Sequence, residues 1–253
     1  MNYENKEFFI NCDGINIHSK LDFPADAKDK MPIMVLIPGF TGHIEEPHII
    51  AFAEAANAVG FVTLRSEMYG HGQSEGDFYK HNVLLWMSEA SRVITYASEL
   101  PFVSDVYLAG HSQGGLTAVL AAGVMKDKIK ALLPISPAMS IFENADKGDF
   151  LGVKFDNDNL PKEISCPEWT ISSDYIRAAR MLPVRQAVAS FKKPVCIIHG
   201  TEDEAIPYEF AVDLADEYEN ARLVPVEGDT HCFDHHLDKA VEAIREFLLS
   251  QIG

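Results

Sequence analysis

Ala109-Gly110-His111-Ser112-Gln113-Gly114-Gly115 sets a serine between glycines. It directly follows the apolar run Val103-Ser104-Asp105-Val106-Tyr107-Leu108-Ala109 and directly precedes Leu116-Thr117-Ala118-Val119-Leu120-Ala121-Ala122. The first run reads as a strand and the second as a helix. Gly110-x-Ser112-x-Gly114 in such a turn is the pattern of a nucleophile elbow. There the serine backbone is strained, and side chains two residues either way would collide with the neighbouring strand and helix. Alone the pattern is weak, because a chain of this length shows it by chance about one time in ten. Its place between strand and helix makes it informative.

Working outward, strand-like and helix-like segments alternate from Ile33 onward, as in a parallel sheet wrapped by helices. Strands are expected at 33–37, 61–64, 103–109, 131–135, 194–198 and 222–226, and helices near 47–58, 82–99, 113–125, 207–219 and 236–251. Residues 7–11 and 15–21, alternating around Asp13-Gly14, predict an antiparallel hairpin ahead of the parallel part. The region 138–182 breaks the rhythm with polar clusters, Gly148, Gly152, Pro161, Pro167 and the short apolar pieces Phe150-Leu151 and Trp169-Thr170-Ile171. It reads as an insertion over the ligand crevice of an open sheet. The expectation is an α/β fold with a mostly parallel, doubly wound sheet of about eight strands. Its core spans 1–137 and 183–253, and 138–182 forms an inserted cap.

The chain has 253 residues, 47% hydrophobic and 23% charged, with a formal net charge of -17. These values suit one large soluble domain with a sizeable core. The negative charge argues against nucleic acid and anionic lipid, which are bound through clustered Lys and Arg, and makes neutral esters or amides easier substrates than anions. There is no basic segment followed by an apolar run at the start, and no apolar stretch of about 18 residues, so a cytoplasmic protein without membrane association is expected. Cys12, Cys166, Cys196 and Cys232 have no C-x-x-C spacing, which points to neither a disulfide framework nor a zinc site.

A serine hydroxyl is a poor nucleophile at neutral pH, so a base must take its proton and a third group must orient that base. Where an elbow presents the serine, the acid and then the histidine follow in chain order. The loop after the 194–198 strand holds three adjacent acids, Glu202, Asp203 and Glu204, and spacing does not choose among them. In the loop after the last strand, His231 comes a few residues past the strand end, which suits the base. His235 and His236 read as surface residues at a helix start, and His111 as a support of the elbow. His231, Cys232, His235 and His236 lack the spacing of a zinc site, and no metal is expected. Ile37-Pro38-Gly39-Phe40-Thr41-Gly42 follows the first parallel strand, where one oxyanion-hole N–H belongs. Phe40 is its candidate, and Gln113, after the nucleophile, is the other. Residues 66–76 lack both the P-loop lysine and the G-x-G-x-x-G spacing, so a rigid loop beside the pocket is expected in place of a nucleotide site.

Together these residues resemble those of bacterial cinnamoyl (feruloyl) esterases of the α/β-hydrolase fold, from about Ile33 to Phe247. The resemblance lies in Gly39-Phe40-Thr41-Gly42, Gly70-His71-Gly72-x-Ser74-x-Gly76, Gly110-His111-Ser112-Gln113-Gly114-Gly115, His199-Gly200-x-x-Asp203 and Gly228-Asp229-x-His231-Cys232. It implies a serine esterase that needs no cofactor and releases hydroxycinnamic acids, with Ser112, Asp203 and His231 as its triad. It also implies a cap that receives the aromatic acyl group. Tyr175 matches a family tyrosine at the phenolic end of the substrate, and Trp169 could supply an apolar wall. Asn144 and Leu151 stand where some relatives carry an acidic residue and an amide. The expected partner is a small-molecule ester, and a homodimer is compatible with the sequence. Monoglyceride lipases and small-acyl esterases share several of these motifs. A medium-chain acyl esterase or monoacylglycerol lipase is therefore the second reading, and a hydrolase-fold binding protein the third.

Overall fold

The computed structural model describes residues 4–252. The strands β1 (Lys6–Cys12) and β2 (Ile15–Asp22) form the antiparallel hairpin, with Lys6 opposite Leu21 and Cys12 opposite Ile15. Then come β3 (Met31–Ile37), α1 (Pro47–Ala58), β4 (Val62–Ser66), α2 (Val83–Glu99), β5 (Val103–His111), α3 (Gln113–Val124) and β6 (Ile129–Ile135). Residues 138–182 carry α4 (Ser140–Asp146), the small hairpins β7 (Asp149–Phe150) with β8 (Val153–Lys154) and β9 (Glu163–Cys166) with β10 (Trp169–Ser172), and α5 (Asp174–Ala179). The chain finishes with α6 (Val184–Ser190), β11 (Val195–Gly200), α7 (Glu209–Glu217), β12 (Ala221–Val226) and α8 (Leu237–Ile252).

Eight strands form one sheet in the order β1-β2-β4-β3-β5-β6-β11-β12, antiparallel only where β2 pairs with β1 and β4. The central strands read as unbroken apolar runs because both faces are covered. Within β3, Ile33, Val35 and Ile37 point into one core while Met34 and Leu36 point into the other. The first core takes Trp86 and Val93 of α2, Leu116 and Val119 of α3, Val188 of α6 and Leu214 of α7. The second takes Ile49 and Phe52 of α1 and Ile244 and Phe247 of α8. The order of strands reverses between β3 and β5, which opens a crevice at their carboxyl ends.

Where local chemistry is strong the elements start as the sequence indicates. Pro47 opens α1, and the Asn82 side chain caps α2 by accepting the Leu85 N–H at 3.0 Å. The helix expected over 207–219 is shorter. Phe210 N–H reaches only back to Pro207 O, and Tyr218 is already extended. Among the described residues, no helix is long and apolar enough to cross a membrane.

Candidate active site

The end of β5 delivers Ser112 with φ 56° and ψ -121°, a conformation that costs a residue bearing a β-carbon about 1–3 kcal/mol. Three hydrogen bonds hold it there. Ser112 N–H donates to Ile135 O at 3.0 Å, and Ser112 O accepts from Leu116 N at 3.1 Å and Ala138 N at 2.9 Å. A β-carbon at Gly110 would stand 2.2 Å from Gly114 O, and one at Gly114 would stand 2.2 Å from Ile37 O. Both glycines are therefore demanded by backbone approach, of strand to helix at Gly110 and of helix to β3 at Gly114. Gly39, in the loop after β3, passes so close that a β-carbon there would lie 2.9 Å from Ser112 Cβ.

Burial separates the three acids after β11: Glu202 and Glu204 are exposed and Asp203 is buried. Asp203 Oδ1 accepts from Ala205 N at 2.9 Å and Ile206 N at 2.8 Å, while Oδ2 lies 2.6 Å from His231 Nδ1. Burial alone would raise this carboxyl. Hydrogen bonds from His199 and His231, the charge of His231 and the Ile206 N–H overcome that and hold it well below the usual carboxylate range. His199, at the end of β11, is the partner that sequence reasoning missed. Its Nε2 is 3.0 Å from Asp203 Oδ2 and 2.9 Å from Ile206 O. The signal was the i, i+4 spacing of His199 and Asp203 across a strand end.

His231 sits in a loop fastened from beneath by the fully buried Asp229. Asp229 accepts from Thr230 N and His235 N through Oδ1, at 2.9 and 3.0 Å, and from His236 N through Oδ2 at 2.9 Å. The Asp229 carbonyl accepts Glu202 N–H at 2.9 Å, which joins this loop to the one carrying Asp203. His111 supports more than the elbow, since its Nε2 is 2.9 Å from His231 O.

The N–H groups of Phe40 and Gln113 have no acceptor among the described residues. The Gln113 side chain is buried, and its Oε1 accepts the Tyr175 hydroxyl at 2.6 Å. Tyr175 is thus fully buried, with its hydroxyl committed to Gln113. The Phe40 ring meets Phe78 and His81 from the stretch between β4 and α2, and Phe150, Trp169 and Tyr175 from residues 138–182, at centroid distances of 5.3–6.3 Å. Trp169 is half-buried and borders a pocket of about 290 Å³ with Thr41, His71 and Phe78. Phe150 and His81, both buried, belong to this seam and were not singled out from sequence. Leu151 lies instead at the exposed turn of the β7–β8 hairpin with φ 48°, and Asn144 is half-buried on α4. Neither joins the aromatic cluster, because hairpin and helix geometry turn these positions away from it.

A family model described as Serine aminopeptidase, S33 matches residues 28–162, more than half of the chain. The chain belongs to this α/β-hydrolase family. A second model, TAP-like protein, matches residues 152–251 of the hydrolase. Among solved structures, Est1E from Butyrivibrio proteoclasticus with bound ferulic acid is 47% identical to it, with TM-score 0.95, over 97% of this chain and 99% of that one. Another structure of Est1E is 45% identical, with TM-score 0.91, over 97% and 98%. Among curated proteins, the mitochondrial palmitoyl-protein thioesterase ABHD10 of Rattus norvegicus is 25% identical over 206 residues. That match covers 75% of this hydrolase but only 64% of the relative's length.

Proposed function

We propose that this α/β hydrolase is a serine carboxylic-ester hydrolase that releases hydroxycinnamic acids such as ferulate from esters. The Asp203–His231 pair at 2.6 Å, on the loops that flank the strained Ser112, carries the reaction class. The ferulic acid bound by Est1E, 47% identical, supports the acyl group. So does the seam of aromatic rings around Phe40, which offers edge and face contacts to a flat ring. In this reading residues 138–182 are a cap over a core of 1–137 and 183–253.

His231 takes the Ser112 proton as Oγ attacks the ester carbonyl. The N–H groups of Phe40 and Gln113 hold the oxyanion, each contributing about 3 kcal/mol in hydrolases where such a donor has been removed. Asp203 keeps the imidazole in the tautomer that presents Nε2 as acceptor. His231 then protonates the leaving alcohol, and water activated by the same ring hydrolyses the acyl-enzyme.

Fatty acyl esters are the second reading, favoured by the 25% identity to a palmitoyl-protein thioesterase. Comparing kcat/KM for methyl ferulate, p-nitrophenyl butyrate and a monoacylglycerol separates the two. Preference for methyl ferulate is expected, and preference for the monoacylglycerol would reverse the order. Ser112→Ala abolishes turnover with the fold intact by circular dichroism, and retained activity overturns the assignment.

A further inference from the structure

Behind the His231 loop, three donors meet from three segments that sequence spacing could not connect. His48 on α1, His111 at the end of β5 and Cys232 after β12 each offer one ligand atom, and these atoms lie within 4.8 Å of one another. Two imidazoles and a thiol suit a borderline-soft divalent ion, zinc above all. We infer that His48, His111 and Cys232 form a zinc-binding site that inhibits the hydrolase when filled.

Four observations carry this. The His48 side chain is 8% exposed, and its Nε2, 3.9 Å from Glu46 Oε2, is buried without a hydrogen-bond partner, an arrangement that a metal would satisfy. The His111 Nε2–His231 O contact fixes that ring by one nitrogen, as backbone carbonyls commonly do for metal-binding histidines. A surface pocket of about 460 Å³ reaches His48 and Cys232, giving an ion a way in and a water room for the fourth position. Asp234 and Asp238 line the same pocket, and together with the net charge of -17 they concentrate cations there. Tetrahedral zinc bonds of about 2.1 and 2.3 Å put ligand atoms roughly 3.3–3.7 Å apart, so filling the site needs only a small inward shift of the side chains.

Binding is a ligand substitution without redox change. The Cys232 S–H bond breaks, its proton leaves to solvent, the zinc–thiolate bond forms, and the two imidazole lone pairs complete three of four positions. Because the thiol must lose its proton to bind, affinity rises with pH. Inhibition follows from place and rests on the proposed role of His231 as base. Cys232 is its chain neighbour, and the His111 ring is centred 4.8 Å from the His231 ring. Drawing the Cys232 and His111 side chains onto an ion moves His231 through the peptide bond it shares with Cys232 and through the His111 Nε2–His231 O contact, out of register with Ser112.

The test uses metal-free full-length protein and two ions alone. Titration calorimetry with Zn2+ gives about one equivalent bound, and Co2+ produces the near-ultraviolet thiolate-to-cobalt charge-transfer band. Cys232→Ser abolishes that band, and Cys232→Ser and His48→Asn each weaken Zn2+ binding by about tenfold or more. Absence of the band in the unaltered protein overturns the site. So does Zn2+ binding that is equally tight in both variants, which would place the ion on the outer His235 and Asp238. At saturating Zn2+, ester turnover falls about tenfold or more and returns with a chelator. A cobalt band without loss of turnover overturns the inhibition. A protein that turns over no ester refutes the esterase reading and leaves the two binding measurements to decide the site.

Discussion

The Tyr175 hydroxyl donates to Gln113 Oε1 at 2.6 Å, fastening α5 to the residue that follows Ser112. Both side chains are buried, and Gln113 Nε2 has no partner of its own. Tyr175→Phe therefore leaves the Gln113 amide with neither bond and costs about 1–3 kcal/mol in stability. If this contact steadies the Gln113 N–H, kcat also falls, by about tenfold, less than deleting an oxyanion donor outright. Thermal unfolding and steady-state kinetics check both. Lower stability with unchanged kcat would make the contact purely structural.

Asp203 Oδ2 serves two histidines, at 2.6 Å from His231 and 3.0 Å from His199. Asp203→Asn should lower kcat by about 10⁴, the effect of losing the correct tautomer in a triad. The exposed Glu202→Gln should change little. His199→Phe should lower kcat by roughly tenfold with KM unchanged, and His199→Gln should recover part of it by restoring a donor. Equal losses at positions 202 and 203 would remove Asp203 from the triad.

Acid weakens the fold through buried histidines. Burial pushes His71 down to about 3 and His81 to about 4, with the neighbouring His81 charge adding to the effect at His71. Both folded values lie below the ordinary 6.5, so their contribution is complete above pH 6.5 and is lost as the pH falls toward 4 and 3. The loss is about 1 kcal/mol per ring per pH unit. His71→Phe should flatten this dependence in thermal melts between pH 7.5 and 4.5. A wild-type melting temperature constant over that range would contradict it.

Glu89 has the opposite sign. Burial beneath the loop 66–76 raises its carboxyl to about 7, although Oε2 accepts Tyr69 N–H at 2.9 Å. Its folded value exceeds the ordinary 4.5, so its contribution is present below pH 4.5 and is lost as the pH rises through 7. Glu89→Gln keeps an acceptor for Tyr69 and should stabilise the protein by roughly 2 kcal/mol at pH 8, with little effect at pH 4.5. An equal change at both pH values would show that charge burial is not the cause.

Much of this was legible in one dimension. The unbroken apolar runs of β3, β5, β6 and β11 are consequences of a sheet covered on both faces, and Pro47 and Asn82 mark helix starts by chemistry confined to a few residues. The elbow was legible because its glycines sit at fixed offsets from Ser112, where the turn brings Gly110 against Gly114 and the helix start against the end of β3. Residues 138–182 were harder. Asn144 and Leu151 were placed by resemblance to relatives, and a position along the chain cannot tell which way a hairpin turn or a seven-residue helix points its side chains.

Local backbone chemistry and periodic burial dictate the doubly wound fold, the strained Ser112 and the loops in which an acid and a histidine belong, and all three can be read along the chain. Packing in three dimensions buries Asp203 while Glu202 and Glu204 stay in water. It alone brought His199 to that carboxylate, turned Tyr175 onto Gln113, and gathered His48, His111 and Cys232 behind His231. The Tyr175–Gln113 contact and the meeting of His48, His111 and Cys232 depend on packing between segments far apart in the chain, and no spacing along the sequence encodes the distance at which they meet.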